Sequence, residues 1–193
     1  PLQVPRMFED KTTYGDLDII LIVPERRLFA FDAVSGEALW NHSPPPLWDG
    51  ESGSFPHRMS VVGPPVASGS RLLVPSAMLR GRIEFHLACY DLHSGELLWN
   101  TPLVTGQRPN NMFGRLLQEF VAPPPVVHGD QVLMQTQLGA ICSVDLFTGE
   151  VQWKSLYEQI PFTPGTYYNQ GDLRSLWRNM PPIVEGNTVL AAP

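Results

Sequence analysis

The sequence predicts an all-β fold, a β-propeller of four-stranded antiparallel blades with tryptophan-docking motifs, present as an open arc of about three blades plus part of a fourth. Two repeated phrases, with no long helical periodicity between them, support this class. The first phrase, Asp-x-x-(Ser/Thr)-Gly-Glu-x-x-Trp, occupies 32–40, 91–99 and 145–153. The second begins with Pro-Pro and reaches a Gly five residues later, and its copies start at Pro64, Pro124 and Pro181.

Each Pro-Pro phrase predicts the first two strands of a blade, strands A and B. A tight turn on Gly69, Gly129 or Gly186 separates two short apolar runs, which is typical of a hairpin. The first copy is degenerate, and the segment 14–23 (YGDLDIILIV) stands in its place. The expected blades lie approximately at 14–42, 62–100, 122–155 and 180–193.

Strand C, which follows, is apolar or small at every position rather than alternating. Its copies are 28–31 (LFAF), 87–90 (LACY) and 141–144 (ICSV). Such a run is typical of a sheet that is covered on both faces. Two positions before each Asp stands a small residue, which leaves room for a large neighbour such as the repeated Trp. These small residues are Ala30, Cys89 and Ser143.

The Asp-to-Gly part of the first phrase predicts a tight turn between strands C and D. An Asp at the head of a turn accepts hydrogen bonds from backbone N–H groups further along, and a Ser or Thr hydroxyl does likewise. The Gly supplies the positive φ that closes the hairpin. The turn residues are Asp32 with Gly36, Asp91 with Gly95, and Asp145 with Gly149.

The Trp that ends each phrase predicts how the sheets are joined. A buried Trp contributes a large apolar area and keeps one N–H for a hydrogen bond. We expect Trp40, Trp99 and Trp153 to be largely buried between adjacent sheets, each near its own turn Gly. Four-stranded sheets that stack face to face around an axis form a propeller.

Three long segments, 41–62, 100–121 and 154–179, connect strand D of one unit to strand A of the next. Connections longer than about 12–15 residues are uncommon unless they are functional or disordered. In a propeller they emerge on one face, and their aromatic and Arg content suits a binding surface. The alternative is that these side chains only pack each segment onto its own blade. The candidate partner-binding residues are Trp48, His57, Arg58, Arg108, Asn111, Arg115, Tyr167, Tyr168, Arg174, Trp177 and Arg178.

Two of these segments also predict short helices, at 111–120 (NMFGRLLQEF) and at 172–179 (DLRSLWRN). Asp172 is the expected N-cap of the second. In such a helix Arg174 and Arg178 lie four residues apart and share a face. The planar donor forks of two guanidinium groups suit an acidic or carboxylate-bearing partner.

Composition and spacing argue against several classes of function. The net charge of −6 disfavours nucleic-acid binding, because phosphate recognition requires clustered Lys and Arg. No apolar run is long enough to span a membrane. The five His residues lack the spacing of metal ligands, and nothing resembles a nucleophile beside its base, so we expect no metal-binding or catalytic residue. The chain starts without Met and ends within an apparent strand, so we expect a fragment of a propeller with about six to eight blades.

These phrases carry a family resemblance. Ala-x-Asp-x-x-Thr-Gly-x-x-x-Trp, preceded by Pro-Pro-Val-Val-x-Gly-Asp-x-Val, resembles the pyrroloquinoline-quinone (PQQ)-like repeat of quinoprotein-type β-propellers. The resemblance covers most of the chain outside the long segments. It spans quinone-dependent alcohol and sugar dehydrogenases, a propeller lipoprotein of the outer-membrane β-barrel assembly machinery, and uncharacterised planctomycete-like envelope proteins.

The enzymatic branch of this family implies a quinone held between a Trp and a disulfide of two adjacent Cys residues, with calcium bound by Glu, Asn and Asp. Here Cys89 and Cys142 are far apart in the sequence. We expect two packed core thiols rather than a redox pair, and no cofactor-binding residue. PQQ with calcium is expected only if the chain is part of a dehydrogenase.

The resemblance leaves three hypotheses for function. The first is a non-catalytic binding or protein-interaction scaffold in the periplasm or cell envelope of a bacterium. The second is a fragment of a PQQ-dependent alcohol or sugar dehydrogenase whose cofactor site lies largely in missing blades. The third is a polysaccharide-binding propeller. The expected partners are a protein or glycan at the face that carries the D-to-A segments, and the remaining blades of the parent chain.

Overall fold

The computed structural model describes residues 7–14, 17–24, 28–42, 46–47, 57–79, 82–106, 121–157 and 180–191. Every regular element within these ranges is a β-strand. The first strands are β1 (Met7–Tyr14), β2 (Leu17–Pro24), β3 (Leu28–Phe31), β4 (Ala38–His42), β5 (Pro46–Leu47), β6 (His57–Arg58), β7 (Ser60–Val61) and β8 (Val66–Ser68). The others are β9 (Arg71–Leu79), β10 (Ile83–Asp91), β11 (Leu97–Gly106), β12 (Val126–His128), β13 (Gln131–Thr136), β14 (Ala140–Asp145), β15 (Val151–Leu156), β16 (Ile183–Glu185) and β17 (Thr188–Leu190).

Two sheets show the complete repeat, and all their strands are antiparallel. In one sheet the order is β8-β9-β10-β11, with β7 on the same side of β9 as β8. In the other the order is β12-β13-β14-β15. Both follow the order A-B-C-D expected from the sequence, and the predicted all-β fold class of four-stranded antiparallel sheets in an open arc is confirmed.

The remaining described strands form two-stranded sheets. These are β1-β2, β3-β4, β5-β6 and β16-β17. By position in the repeat, β3 and β4 are strands C and D of the first unit. By the same criterion, β16 and β17 are strands A and B of the last. The hairpin of β1 and β2 begins at Met7, upstream of the segment that stands in for the first Pro-Pro phrase.

The hydrophobic core lies between neighbouring sheets, and β10 contributes to it on both faces. Leu87 and Cys89 belong to a cluster that includes Cys142 of β14. The alternate residues, Ala88 and Tyr90, belong to a second cluster with residues of β3 and β7. This confirms the expected two-sided cover of β10. Burial also raises the pKa of Tyr90 to about 12.

The strand at 28–31 departs from that expectation. Leu28 is buried, but Phe29 and Phe31 are 55% and 58% exposed. Counting from the repeated Asp, these two residues correspond to Ala88 and Tyr90, which are buried against the preceding sheet. Among the described residues, no sheet covers the corresponding face of β3.

The small residues of strand C lie where the sequence suggested. Ala30, Cys89 and Ser143 are the cross-strand partners of Trp40, Trp99 and Trp153 respectively. Each ladder is irregular immediately after this pair, one residue before the Asp. A β-bulge of this kind re-aims a neighbouring side chain.

The two cysteines are free and buried. Burial raises the pKa of both thiols, Cys89 and Cys142, which keeps them in the unreactive protonated form. The prediction of two packed core thiols is therefore confirmed.

Candidate functional site

The three Asp-to-Gly turns have the same geometry. In the second, Asp91 Oδ1 accepts hydrogen bonds from His93 N at 3.0 Å, Ser94 N at 2.8 Å and Ser94 Oγ at 3.0 Å. The backbone closes the turn through Gly95 N to Asp91 O at 2.9 Å. These donors hold the pKa of the Asp91 carboxyl below its usual range, the Ser94 N–H being the largest cause. In each turn the Asp carboxylate is therefore held in place by hydrogen bonds, and the Gly backbone is not covered by a side chain of its own.

Gly95 lies under the indole of Trp40. A Cβ atom added to Gly95 would approach the ring of Trp40 to 2.8 Å. Trp40 Nε1 donates a hydrogen bond to Leu92 O, in the same turn, at 3.0 Å. Gly95 has a φ of 73°, so it supplies both the turn conformation and the room for the ring.

The next pair repeats this arrangement one sheet further along. A Cβ atom added to Gly149 would approach the ring of Trp99 to 2.6 Å. Trp99 Nε1 donates to Leu146 O at 3.3 Å, and Thr101 Oγ1 donates to Gly149 O at 2.6 Å. Sheet-to-sheet docking is therefore a repeated contact between strand D of one unit and the turn of the following unit.

The expectation that each Trp lies near its own turn Gly is wrong. The indoles of Trp40 and Trp99 extend off their own sheets and cover the Gly of the next turn, where the missing side chain leaves the backbone open to a flat ring. Burial is also less complete than expected, because Trp40 and Trp99 are only half-buried and Trp153 is 37% exposed.

The first turn and the last Trp lack this contact. A Cβ atom added to Gly36 would meet no described atom within 4 Å, although its φ is 73° and Asp32 makes the same turn hydrogen bonds. At the other end, no Asp-to-Gly turn follows Trp153 within the described residues.

Two further contacts join neighbouring sheets near the turns. The Arg71 guanidinium of β9 lies over the ring of Phe147, 5.0 Å from its centroid. The rings of His42 and Tyr90 meet edge to face at 5.3 Å. Both contacts link one unit to the turn or strand C of the next, as the Trp residues do.

The long segments leave from the opposite edge of the sheets. Ile83 is the cross-strand partner of both Leu79 and Gly106, so the end of β9, the start of β10 and the end of β11 are aligned there. In the next sheet Ala140 is likewise the partner of Thr136 and Leu156. We call this the loop-bearing edge, because the chain leaves β11 and β15 from it.

His86 of β10 lies three residues from this edge and is 5% exposed. Its ring nitrogens make no hydrogen bond within the described part of the chain, and Glu84 Oε2 lies 3.8 Å from Nε2. Burial lowers the pKa of His86 below its usual value, and the Glu84 carboxylate opposes that shift. The sequence did not single out this residue, because one His without metal-ligand spacing does not indicate a site.

Most of the predicted partner-binding residues cannot be placed against this geometry. His57 and Arg58 lie on β6, which the structure describes by its backbone. Both predicted helices also fall outside the described ranges. The other candidates outside these ranges are Trp48, Arg108, Asn111, Arg115, Tyr167, Tyr168, Arg174, Trp177 and Arg178.

Two features are absent from the described residues. No group of three or more His, Cys, Asp or Glu in these ranges is arranged to hold a metal ion. None of the described elements is a helix long and apolar enough to cross a membrane.

An apolar cleft of about 630 Å³ does occur, lined mainly by Leu28, Phe29 and residues 61–65.

Comparison with known proteins gives a match over nearly the whole chain. A family model described as outer membrane protein assembly factor BamB matches residues 10–192. Among curated proteins, no relative matches.

Several solved structures are similar. BamB from Moraxella catarrhalis is 19% identical, with 76% of this chain and 39% of that one covered and a TM-score of 0.39. Quinohemoprotein alcohol dehydrogenase from Comamonas testosteroni is 14% identical, with 71% and 25% covered and a TM-score of 0.43. Quinohemoprotein alcohol dehydrogenase ADHIIG from Pseudomonas putida HK5 is 14% identical, with 67% and 24% covered and a TM-score of 0.43. The chain thus spans well under half the length of each.

Proposed function

Because this chain belongs to the PQQ-like repeat family whose model is described as outer membrane protein assembly factor BamB, we propose that it is a non-catalytic protein-interaction scaffold of the bacterial envelope. Assembly factors act through surfaces rather than through reacting groups. The proposed location is the periplasm. In a longer parent chain, further blades would continue the arc through the same Trp-to-turn contacts.

One observation supports this proposal most directly: the contacts between sheets and the long connections lie at opposite edges of the sheets. The turn edge holds the sheets together, through Trp40 on Gly95 and Trp99 on Gly149. The loop-bearing edge takes no part in that contact. The long connections leave β11 and β15 at this edge, and each of these strands pairs with a buried strand, β10 or β14. A rigid scaffold that carries variable loops is a common design for binding.

We assign the partner to the loop-bearing edge and propose that it is a protein with exposed carboxylates. The segment that follows β15 contains Arg174 and Arg178 with Tyr167, Tyr168 and Trp177. Arg, Tyr and Trp are the residues that dominate protein interfaces. Arg also offers a planar pair of donors that matches a carboxylate.

The test is affinity capture from bacterial envelope extract, with the tagged chain as bait. Arg174→Ala with Arg178→Ala should fold normally and lose the protein partner. The matched control is Glu96→Ala with Glu150→Ala, which changes two exposed residues at the opposite, turn edge and should retain it. Equal recovery with both double variants would refute binding at the loop-bearing edge.

Two assays address the competing functions. A glycan array reports polysaccharide binding, and a glycan that binds in place of any protein would replace the proposal. For the dehydrogenase, PQQ and calcium are added and dye reduction is measured with alcohols and sugars. Turnover in this assay would overturn the non-catalytic scaffold.

A further inference from the structure

A cluster of polar side chains lies on one face of β10 and β11, beside the loop-bearing edge. Glu84 and His86 are two positions apart on β10 and therefore share a face of the sheet. Asn100 of β11 is the cross-strand partner of Ala88, the next residue along that face. We propose that His86, Glu84 and Asn100 bind a Zn²⁺ ion or a similar divalent transition metal. This inference goes beyond the proposed function and is independent of it, because it requires no protein partner.

The first support is that polar atoms of this cluster are buried without hydrogen-bond partners among the described residues. His86 is 5% exposed, and neither of its ring nitrogens is hydrogen-bonded there. Asn100 Nδ2 donates to Met59 Sδ at 3.3 Å, whereas the buried Oδ1 accepts from none of these residues. Such atoms are costly to bury. A bound cation would remove this cost, because a carboxylate, an amide oxygen and a neutral imidazole nitrogen all offer lone pairs.

The second support is the spacing of the ligand atoms. Glu84 Oε2 lies 3.8 Å from His86 Nε2. Zn²⁺ binds both kinds of atom at about 2.0–2.2 Å, so two ligands of one tetrahedral ion stand about 3.4 Å apart. A side-chain adjustment of about 0.4 Å therefore brings both atoms to one ion. The Glu84 side chain is 30% exposed, which gives the ion a path from solvent.

The third support is that the imidazole has a suitable protonation state. Burial lowers the pKa of His86, and Glu84 and Asn100 each oppose this shift, which places both side chains beside the ring. The ring is therefore neutral at neutral pH, and a neutral imidazole is the form that binds a metal.

The fourth support is that the cluster departs from the repeat. Counting from the Asp of each turn, His86 corresponds to Ala140 and Asn100 to Lys154. Ala140 is fully buried in the apolar core, so a blade folds without a polar side chain at this position. The fold alone therefore does not account for His86.

The third ligand of the proposed site is an amide. The site thus needs no third His, Cys, Asp or Glu, which the described residues do not supply. Water would complete the coordination, as in other zinc sites with three protein ligands. The sequence predicted no metal-binding residue, because spacing along the chain does not show that β11 brings Asn100 beside Glu84 and His86.

The test is calorimetric titration of the metal-free chain with Zn²⁺ at neutral pH. The wild type should bind a single ion. His86→Phe and Glu84→Gln should each weaken binding at least about 10-fold, the loss that follows removal of even an outer partner of a metal ligand. The matched control is His93→Ala with His128→Ala, which removes two exposed imidazoles from hairpin turns and should bind Zn²⁺ like the wild type.

Two further measurements distinguish this site from weak binding at the surface. Zn²⁺ should raise the urea midpoint of the wild type and of the control, because an ion bound only by the folded chain stabilises it. It should leave the midpoint of His86→Phe unchanged. Co²⁺ in place of Zn²⁺ should give the visible absorption of a tetrahedral ion in the wild type and not in His86→Phe.

Three results would overturn the proposal. One is a wild-type chain that binds no Zn²⁺, in which case ordered water satisfies the cluster. Another is a Glu84→Gln variant that binds Zn²⁺ as tightly as the wild type. The third is loss of the ion in the control with His93 and His128 replaced, while His86→Phe retains it. Urea unfolding of each metal-free variant shows that a loss of binding is not a loss of fold.

Discussion

Replacement of Gly149 by Ala is the sharpest test of the docking contact. At a φ of 76° an added side chain costs about 1–2 kcal/mol of conformational strain. Alanine also reduces the conformational entropy of the unfolded chain, which offsets this strain by about 0.4–1 kcal/mol. The new methyl would also stand 2.6 Å from the ring of Trp99. Since overpacking of this kind costs about 1–3 kcal/mol, Gly149→Ala should lower the free energy of unfolding by about 2–4 kcal/mol.

Gly36→Ala is the matched control for this change. Gly36 has nearly the same φ, 73°, but an added Cβ would meet no described atom within 4 Å. It should therefore lower the free energy of unfolding by only about 1 kcal/mol, the strain less the smaller loss of freedom in the unfolded chain. Gly95→Ala should behave like Gly149→Ala, because its Cβ would meet Trp40.

The assay is urea unfolding followed by tryptophan fluorescence, at a protein concentration where the chain is monomeric. The quantity of interest is the difference between the Gly149→Ala and Gly36→Ala losses, about 1–3 kcal/mol. Near-UV circular dichroism gives a second measure, since displacement of the Trp99 ring changes its environment. Equal losses for the two variants would show that Trp99 does not rest on Gly149.

Three further predictions concern the core and the strands. Trp99→Ala should lower the free energy of unfolding by about 3–5 kcal/mol and Trp153→Ala by less than about 1 kcal/mol. The reason is that Trp99 covers a turn within the described residues and Trp153 does not. Similar losses for the two variants in urea titrations would contradict this. His86 has a lowered pKa, so its contribution to stability is complete above the ordinary His pKa of about 6.5 and is lost as the pH falls below it. His86→Phe should remove this slope between neutral and mildly acidic pH. It should also raise the free energy of unfolding by about 1–2 kcal/mol, since it deletes buried ring nitrogens that make no hydrogen bond to the described residues. An unchanged slope in urea titrations at several pH values would refute this. Alkylation of Cys89 and Cys142 should require unfolding, and rapid labelling of the native chain in a mass-spectrometric time course would show that the thiols are not packed.

The sequence predicted the strand order of the blades because turn chemistry and strand composition are local signals. The Asp91 turn, with its Ser hydroxyl and positive-φ Gly, forms as its residue types require. The small residue at Cys89 predicted space for a Trp, and Trp99 is its cross-strand partner. Both inferences use interactions within one hairpin, where sequence spacing determines which residues meet.

Inferences that cross from one sheet to the next were less successful. In a perfect repeat, a Trp next to its own Gly and a Trp next to the following Gly have the same sequence pattern. Only the geometry of the β-bulge and the direction of the indole separate the two, and neither is encoded in the spacing. His86 was missed for a related reason, because its burial depends on the neighbouring sheet and not on its own strand.

The misplaced Trp also changes what the repeat implies about assembly. If each Trp covered its own Gly, the contact would lie within one blade. The two ends of a run of blades would then not differ in this contact. Because each Trp covers the following turn instead, the contact has a direction, and any open run of blades exposes one ring at one end and one bare turn at the other. Within the described residues, Trp153 and Gly36 hold these two positions. Heterologous contacts of this kind either close into a ring or continue, and a ring is the arrangement that leaves neither exposed. Further blades of a longer chain would therefore extend or close the arc through this same contact.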